Sequence, residues 1–142
     1  AIVQGAGKYL ESGKANITII SQATNDLANG RTAAQIWSDY VTACATLRAA
    51  GWNKVVATTI TPRAISPGFN AAMEIERIAL NAMLLANPGR LFDAVANYGA
   101  ISALGLDGAP NFGYLPDGLH ESEAAYALEA QVLKAAIDAA GR

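Results

Sequence analysis

The sequence contains little of what several common kinds of site are built from. It has one cysteine, Cys44, and one histidine, His120. A single cysteine excludes a disulfide within the chain and a cysteine-based zinc cluster. One histidine among dispersed carboxylates gives no metal-ligand spacing of a known type, so we predict neither a metal site nor a cofactor.

Positive charge is also scarce. The 142 residues carry ten Lys and Arg against twelve Asp and Glu, a formal net charge of −2, and the basic residues are scattered. A nucleic-acid backbone is therefore a poor candidate partner. No window holds the roughly 18 or more apolar residues that a membrane span needs, so we expect none.

Apolar residues, by contrast, are plentiful. The composition is 52% hydrophobic and 15% charged, which is typical of one globular domain with a single core. The first seven residues lack an initiator Met and a basic segment followed by a long apolar stretch, so they do not resemble a signal peptide.

Strand-like and helix-like patterns alternate along the chain. Unbroken β-branched runs predict buried strands at 16–23 and 54–60, and a third is expected at 90–95. Apolar residues spaced three or four apart predict helices from Thr32 to Gly51, over 71–86 and over 121–140. The predicted packing stripes are Ile36, Tyr40, Cys44 and Leu47 in the first helix, Ile75, Ile78, Ala82 and Leu85 in the second, and Ala125, Leu128, Val132 and Ala135 in the third.

This alternation predicts parallel strands joined by helical crossovers. We expect a three-layer α/β/α, flavodoxin-like sheet, whose ligands bind beyond the carboxyl ends of the strands. A long stretch from about Asn97 to Leu119 has no clear period, and loops of that length are often functional.

The first candidate site follows the first predicted strand, at Ala23-Thr-Asn25-Asp26. The side-chain amide of Asn25 could stabilise the oxyanion of an acyl-transfer intermediate. An ordinary strand exit and helix entry explains the same residues, because Asn and Asp both turn and cap well.

The second candidate is Asp117-Gly-Leu-His120, before the last helix. The carboxylate of Asp117 could hold Nδ1 of His120 and leave Nε2 free to act as a general base. The alternative is a Pro-Asp-Gly turn followed by a surface histidine.

Together these two segments resemble blocks of the SGNH (GDSL-type) esterase and lipase family, from about Asn16 to the end of the chain. Ala-Thr-Asn25-Asp26 is similar to the family's Gly-x-Asn-Asp block, with Ala23 in place of Gly, and Asp117-Gly-Leu-His120 matches its Asp-x-x-His block. The resemblance implies that Asn25 belongs to the oxyanion hole, that His120 is the general base, and that Asp117 orients it. It also implies a structural role for Asp26.

The family's nucleophile block, Gly-Asp-Ser, is absent from the chain, as is a Gly-x-Ser-x-Gly elbow. Val3-Gln-Gly5-Ala-Gly7 is similar to the end of the block that supplies an oxyanion glycine. Gly5 is the better match and Gly7 the weaker, although a plain glycine turn explains the segment equally well. Ser66 and Ser102 are the remaining local candidates for a nucleophile.

If the resemblance holds, residues 1–142 are the C-terminal portion of an SGNH-like domain and lack its central strand. We then expect a separate N-terminal segment or chain to complete the sheet, since an apolar unpaired edge invites aggregation.

Three functions fit these observations. The first is a serine ester hydrolase acting on a small ester. The second is a non-catalytic SGNH-like module that binds carbohydrate or serves structurally, and the third is an unrelated flavodoxin-like binding domain. The substrate cannot be derived from the residues, beyond a mild preference against anionic ones.

Overall fold

A parallel three-stranded sheet organises the computed structural model, which describes residues 9–141. Its strands are β1 (Ile17–Ile20), β2 (Lys54–Thr58) and β3 (Ala94–Ala96), in the order β1-β2-β3. Ile17 lies opposite Lys54, and Val56 lies opposite Ala94. The prediction of parallel strands alternating with helices is confirmed, although all three strands are shorter than expected.

Four helices accompany the sheet: α1 (Thr24–Ala28), α2 (Ala33–Ala49), α3 (Ala71–Leu85) and α4 (Glu123–Ala140). The three long helices begin at residues whose side chains accept hydrogen bonds from the first turn, namely Thr32, Asn70 and Ser122. None of the helices within residues 9–141 is both long and apolar enough to cross a bilayer.

The helices cover both faces of β2. Val55 and Ala57 belong to a core cluster shared with α2 and α3, whereas Val56 faces a second cluster with Ala136 and Ala140 of α4. Because side chains alternate along a strand, one short strand thereby contributes to two cores.

The packing stripe of α2 is as predicted. Ile36, Tyr40, Cys44 and Leu47 are all buried. Burial raises the pKa of the Cys44 thiol to about 11, which leaves a small core residue and not a reactive thiolate.

The predicted stripe of α3 is wrong. Its apolar residues Ile75, Ile78 and Leu85 are exposed, Ile75 by 65%, while the charged Glu74 and Arg77 are buried. Arg77 donates to both carboxylate oxygens of Glu74 at 2.8 and 2.7 Å, to the carbonyl of Ile60 at 2.9 Å, and to Asp107. The buried face of α3 therefore combines Leu80 and Leu84 with this fully paired charged network.

The stripe of α4 is only partly correct. Ala125 is buried and Leu128 and Val132 are half-buried, but Ala135 is exposed and Glu129 is buried. The buried carboxylate of Glu129 thus lies on the side of the helix that packs against the sheet.

The long stretch after β3 contains structure that its sequence period does not reveal. Two 3-10 turns at 98–100 and 102–104 precede a small antiparallel hairpin of β4 (Gly105–Leu106) and β5 (Ala109–Pro110). The hairpin carries Asp107, the residue that Arg77 binds.

Candidate functional site

A cavity of about 500 Å³ lies at the carboxyl ends of β1 and β2. Its walls come from the exits of both strands, from Tyr98 and from the start of α4. The residues that line it are Ser21, Gln22, Ala23, Thr24, Asn25, Asp26, Thr58, Thr59, Ile60, Thr61, Tyr98, Glu121, Tyr126 and Glu129. This is the position at which parallel α/β sheets bind ligands.

One wall of the cavity is the turn from β1 into α1. Ala23 turns the chain with φ of +102°, and it is the only residue other than glycine with a positive φ among residues 9–141. α1 starts at the next residue, which places Asn25 in its first turn, exposed and on the cavity wall. Asp26 pairs with Arg31 at 2.8 Å, which gives it a structural contact.

Beside the cavity, Asp117 and His120 form a closed turn. The backbone N–H groups of Leu119 and His120 donate to Oδ1 of Asp117 at 2.9 and 2.7 Å. Oδ2 of Asp117 lies 2.6 Å from Nδ1 of His120. Both side chains are accessible, with 56% of Asp117 and 77% of His120 exposed.

These contacts determine what each group can do. The hydrogen bonds from the His120 ring and from two backbone amides hold the pKa of Asp117 well below its usual range. When Nδ1 of a neutral His120 donates to this carboxylate, Nε2 carries the free lone pair. The pair is therefore arranged so that His120 can accept a proton at Nε2.

Gly118 makes this turn possible. Its φ is +76°, and a Cβ placed there would lie 2.5 Å from Cβ of Ala64. Its carbonyl accepts a hydrogen bond from the Ala64 N–H at 2.9 Å. Only glycine fits both the backbone conformation and the space.

The loop after β2 contacts both site segments. Arg63 Nη1 lies 3.4 Å from the carbonyl of Thr24, Ala64 binds Gly118, and the Thr61 hydroxyl donates to Glu121 Oε1 at 3.1 Å. The structure thus brings Asn25 and the Asp117–His120 turn to the same end of the sheet, held by one loop.

Sequence reasoning missed Glu129, which lines the cavity. The residue is 7% exposed, and its Oε1 has no hydrogen-bond partner in the described part of the chain. Burial, reinforced by the charge of Glu121, raises the pKa of Glu129 to about 7. A glutamate among alanines on a helix is typical of an exposed charge, so no pattern in the sequence indicated its burial.

The serines and glycines considered as candidate site residues differ in where they lie relative to the cavity. Ser21 lies just beyond β1 and not within a strand as expected; it lines the cavity and accepts a hydrogen bond from the Thr58 hydroxyl at 3.0 Å. Ser66 and Ser102 do not line the cavity. Gly5 and Gly7 lie outside the described residues.

No group of three or more His, Cys, Asp or Glu within residues 9–141 is arranged to hold a metal ion.

No protein-family model matches the sequence, and no curated protein is similar to it in sequence. Among solved structures, the chain is similar to a protein from Bacteroides fragilis described as a "putative acylhydrolase", with a TM-score of 0.74 and 24% identity. The match covers 89% of this chain and 63% of the other. The two share a fold, and this chain spans less than two thirds of the length of its structural neighbour.

Proposed function

We propose that the protein is a serine ester hydrolase of the SGNH type. The observation that carries this proposal is the Asp117–His120 pair, with 2.6 Å between Oδ2 and Nδ1, at the same end of the sheet as Asn25. The description of the structural neighbour as an acylhydrolase supports the same chemistry.

In the proposed mechanism a serine hydroxyl attacks the carbonyl carbon of a small ester while Nε2 of His120 takes its proton. Asp117 stabilises the imidazolium that forms. The side-chain amide of Asn25 and the N–H of Gly5 donate to the oxyanion of the tetrahedral intermediate. His120 then protonates the departing alcohol, and water hydrolyses the acyl-enzyme with the same residue as base.

In this proposal the serine lies outside residues 1–142, in a Gly-Asp-Ser block. We propose that these residues are the C-terminal portion of a single domain, and that an N-terminal segment or a second chain adds a strand beside β1. The completed sheet would be the three-layer, flavodoxin-like arrangement expected from the sequence. The coverage of 63% of the structural neighbour leaves room for such a segment.

The test is the rate at which the natural protein, together with the segment that supplies the serine, hydrolyses a short p-nitrophenyl ester. We expect His120→Ala to lower kcat/KM on the order of 10⁴-fold, because His120 is the proposed base and the only histidine in these 142 residues. Lys134→Ala, which alters an exposed ion pair on α4, is the control and should leave the rate unchanged. Equal rates for His120→Ala and the parent protein would refute the mechanism.

The absence of Gly-Asp-Ser from the chain favours a second candidate, a non-catalytic SGNH-like module that binds carbohydrate or serves structurally. Intact mass spectrometry and N-terminal sequencing of the natural protein separate the two. A Gly-Asp-Ser block upstream of Ala1 supports the hydrolase, and its absence supports the module.

A further inference from the structure

The charge of the cavity is of one sign. Asp26, Glu121 and Glu129 line it, and none of the lining residues is Lys, Arg or His. Asp26 is already compensated by Arg31, whereas Glu121 receives only the Thr61 hydroxyl. Neither Glu121 nor Glu129 takes part in an ion pair within residues 9–141.

The buried carboxylate of Glu129 indicates that the cavity binds a ligand of opposite charge. A buried carboxylate without a partner is costly, so such groups are usually paired, hydrogen-bonded or functional. Here the side chain is more than nine-tenths buried, has an unpartnered oxygen and lines a cavity large enough for a small organic ligand. A ligand carrying a positive charge would supply the partner that residues 9–141 do not.

The rest of the lining narrows the kind of cation. Because no group of three or more His, Cys, Asp or Glu side chains in the described part of the chain could hold a metal ion, a compact inorganic cation is disfavoured. Two tyrosines, Tyr98 and Tyr126, line the same cavity. Aromatic rings together with carboxylates are the surroundings that favour an organic ammonium group.

We propose that the cavity binds the ammonium group of a cationic alcohol, with Glu129 as the principal counter-charge and Glu121 beside it. The inference rests on the proposed function for the rest of the substrate, which would be an ester of that alcohol. Asn25 on the cavity wall and His120, next to Glu121 in the chain, place the proposed ester chemistry at the edge of the ammonium site.

The experiment measures binding and not hydrolysis, by calorimetry on the natural protein. The probes are choline and its uncharged isostere 3,3-dimethylbutan-1-ol, which has the same shape without the charge. We expect choline to bind at least about tenfold more tightly than the isostere, and Glu129→Gln to weaken choline binding about tenfold or more. Glu123→Gln, an exposed glutamate at the start of the same helix, is the matched control and should bind choline like the parent.

Circular dichroism of each variant shows whether its fold is kept, and Glu121→Gln provides a second variant in which choline binding should weaken. Equal binding of the two probes, no binding of choline, or unaltered binding by a folded Glu129→Gln protein would each overturn the inference. Choline binding in a protein that hydrolyses no ester would overturn the proposed function and leave the ammonium site standing. Hydrolysis without choline binding would do the reverse.

Discussion

Two carboxylates near the cavity, Asp117 in the exposed turn and Glu129 in the buried wall, have pKa values shifted in opposite directions by their surroundings. Asp117 faces solvent and accepts hydrogen bonds from two backbone amides and the His120 ring, so its pKa is lowered. Glu129 is buried with an unpartnered oxygen, and its pKa is raised to about 7. The charge of Asp117 is stabilised by residues adjacent to it in sequence. The charge of Glu129 has no such partner among the described residues, which leaves it available to a ligand.

The largest effect should come from breaking the turn. Gly118→Ala forces a side chain into a left-handed backbone conformation and against Cβ of Ala64. We expect a loss of about 3 to 4 kcal/mol in the free energy of unfolding, from backbone strain and overcrowding together. Denaturant unfolding measures it, and the rate of ester hydrolysis should fall as the Asp117–His120 contact is displaced.

Gly89→Ala is the matched control for this change. Gly89 has a φ of +74°, nearly that of Gly118, but a Cβ there would meet no atom within 4 Å. Only the backbone cost remains, about 1 to 2 kcal/mol. If the two variants lost equal stability, the close approach of Ala64 would not be the reason for the glycine.

A smaller effect on the free energy of unfolding, dependent on pH, should come from neutralising Glu129 in the cavity wall. The pKa of Glu129 is raised from 4.5 to about 7 in the folded protein, so folding is disfavoured once the carboxyl must ionise. Below about pH 4 the group is protonated in both states and contributes nothing, and the cost grows as the pH rises toward 7. We expect Glu129→Gln to raise the free energy of unfolding by about 2 kcal/mol at pH 8 and hardly at pH 4.

Thermal and denaturant unfolding at the two pH values measure this difference. Glu123→Gln, on the exposed side of α4, should show no comparable dependence on pH. A Glu129→Gln protein that is less stable than the parent at pH 8 would mean that the carboxylate has a partner in the folded protein.

The smallest effect on stability should come from changing Ala23, in the part of the cavity wall that carries Asn25. Ala23 holds a φ of +102° where glycine is normally favoured. Ala23→Gly relieves this strain but gives up a buried methyl group and adds entropy to the unfolded chain. We expect a net gain of at most about 1 kcal/mol, measured by the midpoint of denaturant unfolding. A clear loss of stability would show that packing of the methyl group outweighs the strain.

The sequence predicted well those features that depend on neighbours along the chain. The stripe of α2 follows from regular spacing after the Thr32 cap, and the Asp117–His120 segment could be found because four consecutive residues contain the whole turn. The helix entry given as the alternative explanation of Asn25-Asp26 is present as α1, whose five residues are too few to show a period.

Features that depend on distant residues could not be predicted. Arg77 is buried where Asp107, thirty positions later, and the carbonyl of Ile60 bind it, and it shares the buried face of α3 with two leucines. Glu129 is buried on the helix that packs against β2 and β3. Hydrophobic periodicity counts side chains along one helix and contains no information about such partners.

The buried Arg77 also determines how the molecule opens. Its guanidinium joins α3, the end of β2 and the hairpin that carries Asp107, and breaking one of these contacts would leave a buried charge without its partners. Lifting the hairpin away would therefore take Asp107 from the buried guanidinium and leave it paired with Glu74 alone. In terms of hydrogen exchange, we expect the amides of α3 and of the hairpin to be exposed in coupled openings.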